Sequence, residues 1–281
     1  NKTKVLLTGG NGGLFGAGLS SSGAITKDKF FYSVTGRYST FDGLINNTFL
    51  NQKVDFSEEY NFRGKLKYRF SPRWSAVFVQ DNFKIEAGGN YYVTKTDIFD
   101  PTIPVLADDD YSSEPFGDIL GDSELSNSLS SFKLEGSLPS AKFQSVTSYN
   151  ATRRYYIGEN DYSQYAFSKV SQQSDSDTFS QEFRLTSNTK EDTKLNYTVG
   201  TLFQNSSRYL NTSTFLNRTY YEGGFVDASA ENADYSEDPL VGNDDDNTIR
   251  TLAAFGFVDY KLTSKLTLSA GVRVDNDKLT N

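Results

Sequence analysis

The sequence predicts an all-β chain built as the wall of an antiparallel transmembrane β-barrel, and three observations carry that prediction. Eleven stretches alternate apolar and polar residues, the connections between them alternate short and long, and Tyr and Phe (18 and 22 of 281 residues) far outnumber a single Trp. Alternation at period two sends successive side chains to opposite faces, so each stretch has one oily and one wet side. Short turns at one end and long loops at the other is the layout of an outer-membrane barrel, and the aromatic residues suit the girdles such barrels carry at both interfaces.

Taken in order, the first two strands, 3–9 and 14–23, fall almost wholly in an uncharged run, 5–26, rich in Gly and Ser. Its Gly9-Gly10-Asn11-Gly12-Gly13 centre breaks any helix and reads as a turn. A third strand at 29–41 follows the tight link 25–28. In the fourth, 59–70, Phe62, Gly64, Leu66, Tyr68 and Phe70 oppose Arg63, Lys65, Lys67 and Arg69, and those four cations must all face water. The link 71–73 leads to 74–85. Strands at 126–138 and 143–156 flank the turn 139–142, and strands at 177–187 and 195–208 flank 188–194. The last two, 248–262 and 265–278, flank 263–264. The final one alternates most clearly, with Leu266, Leu268, Ala270, Val272 and Val274 against Thr267, Ser269, Gly271, Arg273 and Asp275. Long segments fall at 42–57, 86–125, 156–176 and 209–247. Most strands reach the ~10 residues that a tilted strand needs to cross a bilayer.

Composition narrows the function. A hydrophobic content of 36% and a mean hydropathy of −0.54 would suit a soluble protein, but a barrel with a polar lumen and long outer loops averages the same way. The absence of Cys rules out thiol chemistry and disulfide staples, and the absence of His removes the commonest general base and transition-metal ligand. An enzyme is therefore not expected, nor a cofactor or a bound metal. A net charge of −8, with Lys and Arg spread among the strands, argues against nucleic acid.

Two segments resemble the TonB-dependent outer-membrane receptors. The run Phe-Ser-Gln-Glu-Phe-Arg-Leu-Thr-Ser at 179–187 is similar to a strand motif of that family with a Ser-Gln-Glu-x-Arg-Leu core. The run from Ala253 through Phe255-Gly256-Phe257 to Leu266-Thr267-Leu268 and Arg273 resembles its aromatic-Gly hairpin. Phe143-Gln144-Ser145-Val146-Thr147-Ser148-Tyr149 is similar to the strand before the first motif. The resemblance implies that residues 1–281 are about half of a 22-stranded barrel that is closed by a plug, with the plug, TonB box and terminal strands lying outside this sequence. It further implies active import of a large scarce nutrient, an iron–siderophore complex foremost, into a bacterium. The implied partners are the TonB–ExbB–ExbD complex, acting through the plug, the siderophore, and outer-membrane lipid and lipopolysaccharide. A passive porin is the alternative, followed by an extracellular carbohydrate-binding or adhesin β-sandwich.

Candidate ligand contacts are aromatic. Tyr91 and Tyr92, Tyr155 and Tyr156, and Tyr220 and Tyr221 beside Arg218 sit at or beyond the outer strand ends, where rings stack on a ligand or form a girdle. Lumen-facing Arg63, Lys65, Lys67, Arg69, Lys133, Glu135, Glu182, Arg184 and Arg273 line a substrate path, hold a plug, or pair across neighbouring strands. The triplets Asp108-Asp109-Asp110 and Asp244-Asp245-Asp246 read as solvated acidic loops, since neither has the spacing of a calcium loop.

Overall fold

The computed structural model describes residues 1–89, 92–93, 114–188, 194–217, 235 and 240–281. One eleven-stranded sheet dominates it. Its strands are β1 (Lys2–Gly9), β2 (Phe15–Thr26), β3 (Phe30–Phe41), β6 (Ser57–Ser71), β7 (Trp74–Gly88), β8 (Asp122–Ser137), β9 (Ala141–Glu159), β10 (Ser168–Ser187), β11 (Leu195–Leu216), β12 (Val241–Lys261) and β13 (Thr267–Thr280). The segment between β3 and β6 holds a small hairpin of β4 (Asn46–Asn47) and β5 (Gln52–Lys53). Each long strand pairs antiparallel with its sequence neighbours, β1 through β13 in order, and the sheet is not closed, so β1 and β13 form its edges. All eleven predicted strands are present. The glycine turn is also as read: Gly12 and Gly13 have φ of 66° and 67°, and Asp42 N–H donates to Gly12 O at 2.9 Å.

The two faces sort as the alternation requires. Register places Leu66 beside Tyr32 and Phe78, Phe78 beside Phe132, and Phe183 beside Thr201. Rings on this face then meet across the sheet: Trp74 of β7 reaches over Gly136 of β8 to Phe143 of β9 at 6.2 Å, and Phe143 stacks on Phe183 of β10 at 6.4 Å. On β12 the apolar side runs from Leu252 through Ala254, Gly256 and Val258 to Tyr260, about 27 Å along the strand. At a tilt near 40° this stands about 21 Å tall, close to the ~25 Å band of an outer-membrane barrel. These large side chains are exposed in a single layer: Phe132, Phe183 and Val199 keep 46%, 46% and 42% of their surface. A soluble sandwich would bury this face against a second sheet, and no second layer exists among the described residues. Beyond the band the same face turns polar, with Lys84 bridging Glu86 and Glu124, and Arg153 bridging Asp177.

On the opposite face Arg63 pairs with Asp81 of the next strand at 3.6 Å. The other pairs correct the expectation of cross-strand bridging: Lys133–Glu135, Glu182–Arg184 and Arg273–Asp275 join residues two apart on one strand, at 2.9, 2.7 and 2.7 Å. Residues two apart share a face, so both charged groups reach the same side.

Several strands run much farther outward than the sequence alone suggested. β10 begins at Ser168, β11 ends at Leu216, and β12 begins at Val241. The loop expected at 156–176 shrinks to 160–167. Asp244, Asp245 and Asp246 therefore lie in a strand, registered with Asn211, Leu210 and Tyr209, and Asp244 accepts from Tyr209 and Asn211 at 2.9 and 2.8 Å. Asp108-Asp109-Asp110 lie outside the described residues.

Candidate functional site

The glycine turn 10–14 and the long connections 42–56, 89–121, 160–167 and 217–240 all leave the sheet at one end, and the described parts of the last four gather into one polar cap. Asn47 Nδ2 donates to Gly117 O at 2.8 Å, and Thr48 N to Pro115 O at 2.9 Å. Asp118 N donates to Ser163 O at 3.0 Å, Asn217 N to Phe167 O at 2.9 Å, and the Tyr235 hydroxyl to Asp118 Oδ2 at 3.2 Å. Asn47, Asp118, Glu159, Ser163 and Ser168 are all buried in this knot.

Its local folding follows from short polar side chains. Asn47 Oδ1 accepts from the Phe49 and Leu50 amides and so forms an Asx turn before β5. Asp161 makes a second, stronger clamp. Its Oδ1 takes the amide and hydroxyl of Ser163 at 3.1 and 2.5 Å, and its Oδ2 takes those of Ser168 at 3.0 and 3.3 Å. Burial raises the Asp161 pKa, while the hydrogen bonds from Ser163 and Ser168 oppose that rise. Gly117 allows close approach here, because a Cβ at that position would sit 2.7 Å from Glu159 Oε2.

Inside this end of the sheet lies an aromatic cluster. Tyr92 packs edge-on against Tyr162 at 5.5 Å, and Gly89 lies against the Tyr156 ring. The Tyr156 hydroxyl is buried with no hydrogen-bond partner among the described residues, and burial pushes its pKa up to about 12. The hydroxyl is packed against Gly158, where a Cβ would collide with it. Tyr92 is the accessible ring of the set, at 67%.

Of the residues singled out from the sequence, Tyr92 and Tyr156 both lie in this cluster. Tyr155 lies in the interior of β9 opposite Glu124 and Gln173, and alternation turns it to the other face. Tyr91, Arg218, Tyr220 and Tyr221 lie outside the described residues. Sequence reasoning missed Asp118, Glu159, Asp161, Tyr162 and Tyr235. The spacing Asp161-Tyr162-Ser163 is an Asx-turn signal and was available; nothing local marks the others.

A meandering single-layer sheet with an apolar outer band, a charged inner face and capped outer loops defines part of a transmembrane β-barrel wall. No family model matches the sequence. Among solved structures, the chain is similar to the ferric yersiniabactin uptake receptor FyuA from Yersinia pestis, with 14% identity and a TM-score of 0.67 over 96% of this chain and 41% of that one. It is also similar to the ferripyoverdine receptor of the outer membrane of Pseudomonas aeruginosa, with 14% identity and a TM-score of 0.71 over 99% of this chain and 37% of that one. The ferric citrate transporter FecA gives 12% identity and a TM-score of 0.62 over 99% and 37%. The chain thus spans well under half the length of these proteins. Its fold is that of part of the barrel wall of these proteins, the wall that the strands carrying the motifs at 179–187 and 253–273 led one to expect.

Proposed function

We propose that the complete protein carrying this chain imports a large, scarce nutrient across a bacterial outer membrane by active transport, with an iron–siderophore complex as the substrate class. Residues 1–281 supply about half of a 22-stranded wall around a plug. TonB, driven by ExbB and ExbD, displaces that plug, and the outer band meets lipid and lipopolysaccharide. The observation that carries this reading is the outer end itself. The described parts of its loops are tied into one cap over an aromatic cluster whose Tyr156 hydroxyl has no partner among the described residues, a construction suited to capturing a ligand rather than to free diffusion. The similar structures include uptake receptors for ferric complexes, and a copper transporter also matches at a TM-score of 0.59, so the cargo metal is a matter for experiment.

In this reading Tyr92 and Tyr156 contact the ligand. Tyr91, Arg218, Tyr220 and Tyr221 join them from the adjoining segments, and Tyr155 contributes from the outer side of the rim. The wall performs no covalent chemistry: it binds, orients and releases. Uptake of radioactive iron presented as ferric siderophores tests this, measured in cells that express the full protein, with and without a TonB deletion or a protonophore. Loss of uptake in both de-energised states is expected. Uptake that continues in both would establish a passive channel instead.

A further inference from the structure

One sector of the lipid-facing surface departs from the rest. On β12 and β13 that side carries no amide or hydroxyl side chain from Leu252 to Val258 or from Leu268 to Val274. On β7 and β8 it carries a hydrogen-bonded polar network. Gln80 Nε2 donates to Asn82 Oδ1 at 3.0 Å and to Ser128 Oγ at 3.1 Å, Ser128 donates to Asn82 Oδ1 at 2.9 Å, and Ser130 donates to Gln80 Oε1 at 2.5 Å. A second network follows on β9 and β10, where Thr147 donates to Gln181 Oε1 at 2.5 Å and Gln181 Nε2 donates to Ser145 Oγ at 3.0 Å.

These groups share the face of the rings and lie within the apolar band. Thr147 registers with Phe132, and Ser145 with Phe183. Ser145 and Thr147 fall between Phe143 and Tyr149 on the same side of β9, and Gln181 falls between Phe179 and Phe183 on β10. Asn82 and Gln80 stand opposite Phe62 and Gly64 of β6. Hydrocarbon offers polar side chains no hydrogen-bond partner, so those held at membrane depth face protein or one another. The two networks use most of their donors internally. Both bonds of Asn82, however, fall on Oδ1, and its Nδ2 has no partner among the described residues.

We propose that this patch on β7–β10 is where a second copy of the protein docks inside the membrane, about a two-fold axis along the membrane normal. A two-fold contact brings a surface against itself, so the surface must complement itself. Amides and hydroxyls meet that condition, because each both donates and accepts. Within the patch no side chain is charged, and Lys84 and Arg153 just outward of it are already paired with Glu86, Glu124 and Asp177. Such an axis keeps every residue at its own depth. The register partners Asn82 and Ser128 then face the same pair in the other copy, and the free Asn82 N–H groups reach oxygens there. Phe78, Phe132 and Phe183 surround the patch with exposed rings that supply the packing. Docking uses only the outer surface of the wall and does not depend on what the barrel transports.

Cysteine cross-linking of the full-length protein in native outer membranes tests this, with the unsubstituted protein as the blank. Asn82→Cys and Ser128→Cys, treated with a short bis-maleimide, should each give a product of twice the protein's mass, and Val272→Cys on the lipid side of β13 should not. Sedimentation equilibrium in detergent then reads the dimer directly. Gln80→Leu, Asn82→Leu and Gln181→Leu combined put hydrocarbon-compatible side chains in place of the amides, so the barrel should still fold while the dimer dissociation constant rises about tenfold, the loss of a few polar contacts of the size found inside membranes. A cross-linked product with a different protein, equal cross-linking at Val272→Cys, no product at either patch site, or a dimer unweakened by the three leucines would each overturn the proposal.

Discussion

Placing one arginine on either side of β11 measures which face meets lipid. Val199 lies midway along the apolar side of the strand, between Leu195 and Phe203, with Leu185 and Gly256 as its register partners. An arginine at mid-membrane on the lipid face costs about 2–4 kcal/mol. Thr198, the adjacent residue, points to the lumen, where its hydroxyl donates to Thr186 at 3.3 Å. Thr198→Arg forfeits that bond, about 0.5–1.5 kcal/mol, and leaves the new charge in water. The gap of about 1–3 kcal/mol corresponds to about 5- to 150-fold in the folding equilibrium. Urea titration of the full-length protein refolded into phosphatidylcholine vesicles reports it, with Val199→Arg the weaker of the two. Equal midpoints, or the reverse order, would refute the face assignment.

Gly12→Val places a β-branched residue at φ 66° and drives its Cβ into the Phe41 ring. The backbone term alone is about 1–2 kcal/mol, so Asp42, which donates to Gly12 O, should lose exchange protection; full protection would contradict a left-handed turn. Asp161→Ala strips four hydrogen bonds from Ser163 and Ser168, and should cost residues 160–168 about 2 kcal/mol or more of local stability by hydrogen exchange, leaving the β9–β10 pairing intact. Tyr156→Phe deletes a hydroxyl that has no partner among the described residues, so the unfolding temperature should hold or rise while ferric-siderophore uptake falls. A lowered unfolding temperature would show that the hydroxyl is spent inside the protein.

How much was legible depends on which solvent each segment meets. Where the wall faces hydrocarbon, only apolar side chains are tolerated, so β12 and β13 declare their faces residue by residue. The outer parts of β10, β11 and β12 have water on both sides, and runs such as Gln172-Gln173-Ser174-Asp175 or Gly242-Asn243-Asp244 keep no apolar alternation to read. Backbone pairing alone extends them. The cap was still less legible, because its members come from separate loops: Tyr235 and Asp118 are 117 residues apart. Only Asp161 carried a local signal, through the serine two residues on.

Charge is balanced along single strands at Lys133–Glu135, Glu182–Arg184 and Arg273–Asp275, and this has a consequence for how such a wall can change. A strand that carries its own counter-ion needs no matching partner on its neighbour. A hairpin can be copied, lost or exchanged without stranding a charge in the lumen. Pairing between strands is then specified by the rings and the apolar pattern on the lipid side, and the lumen side is free to vary.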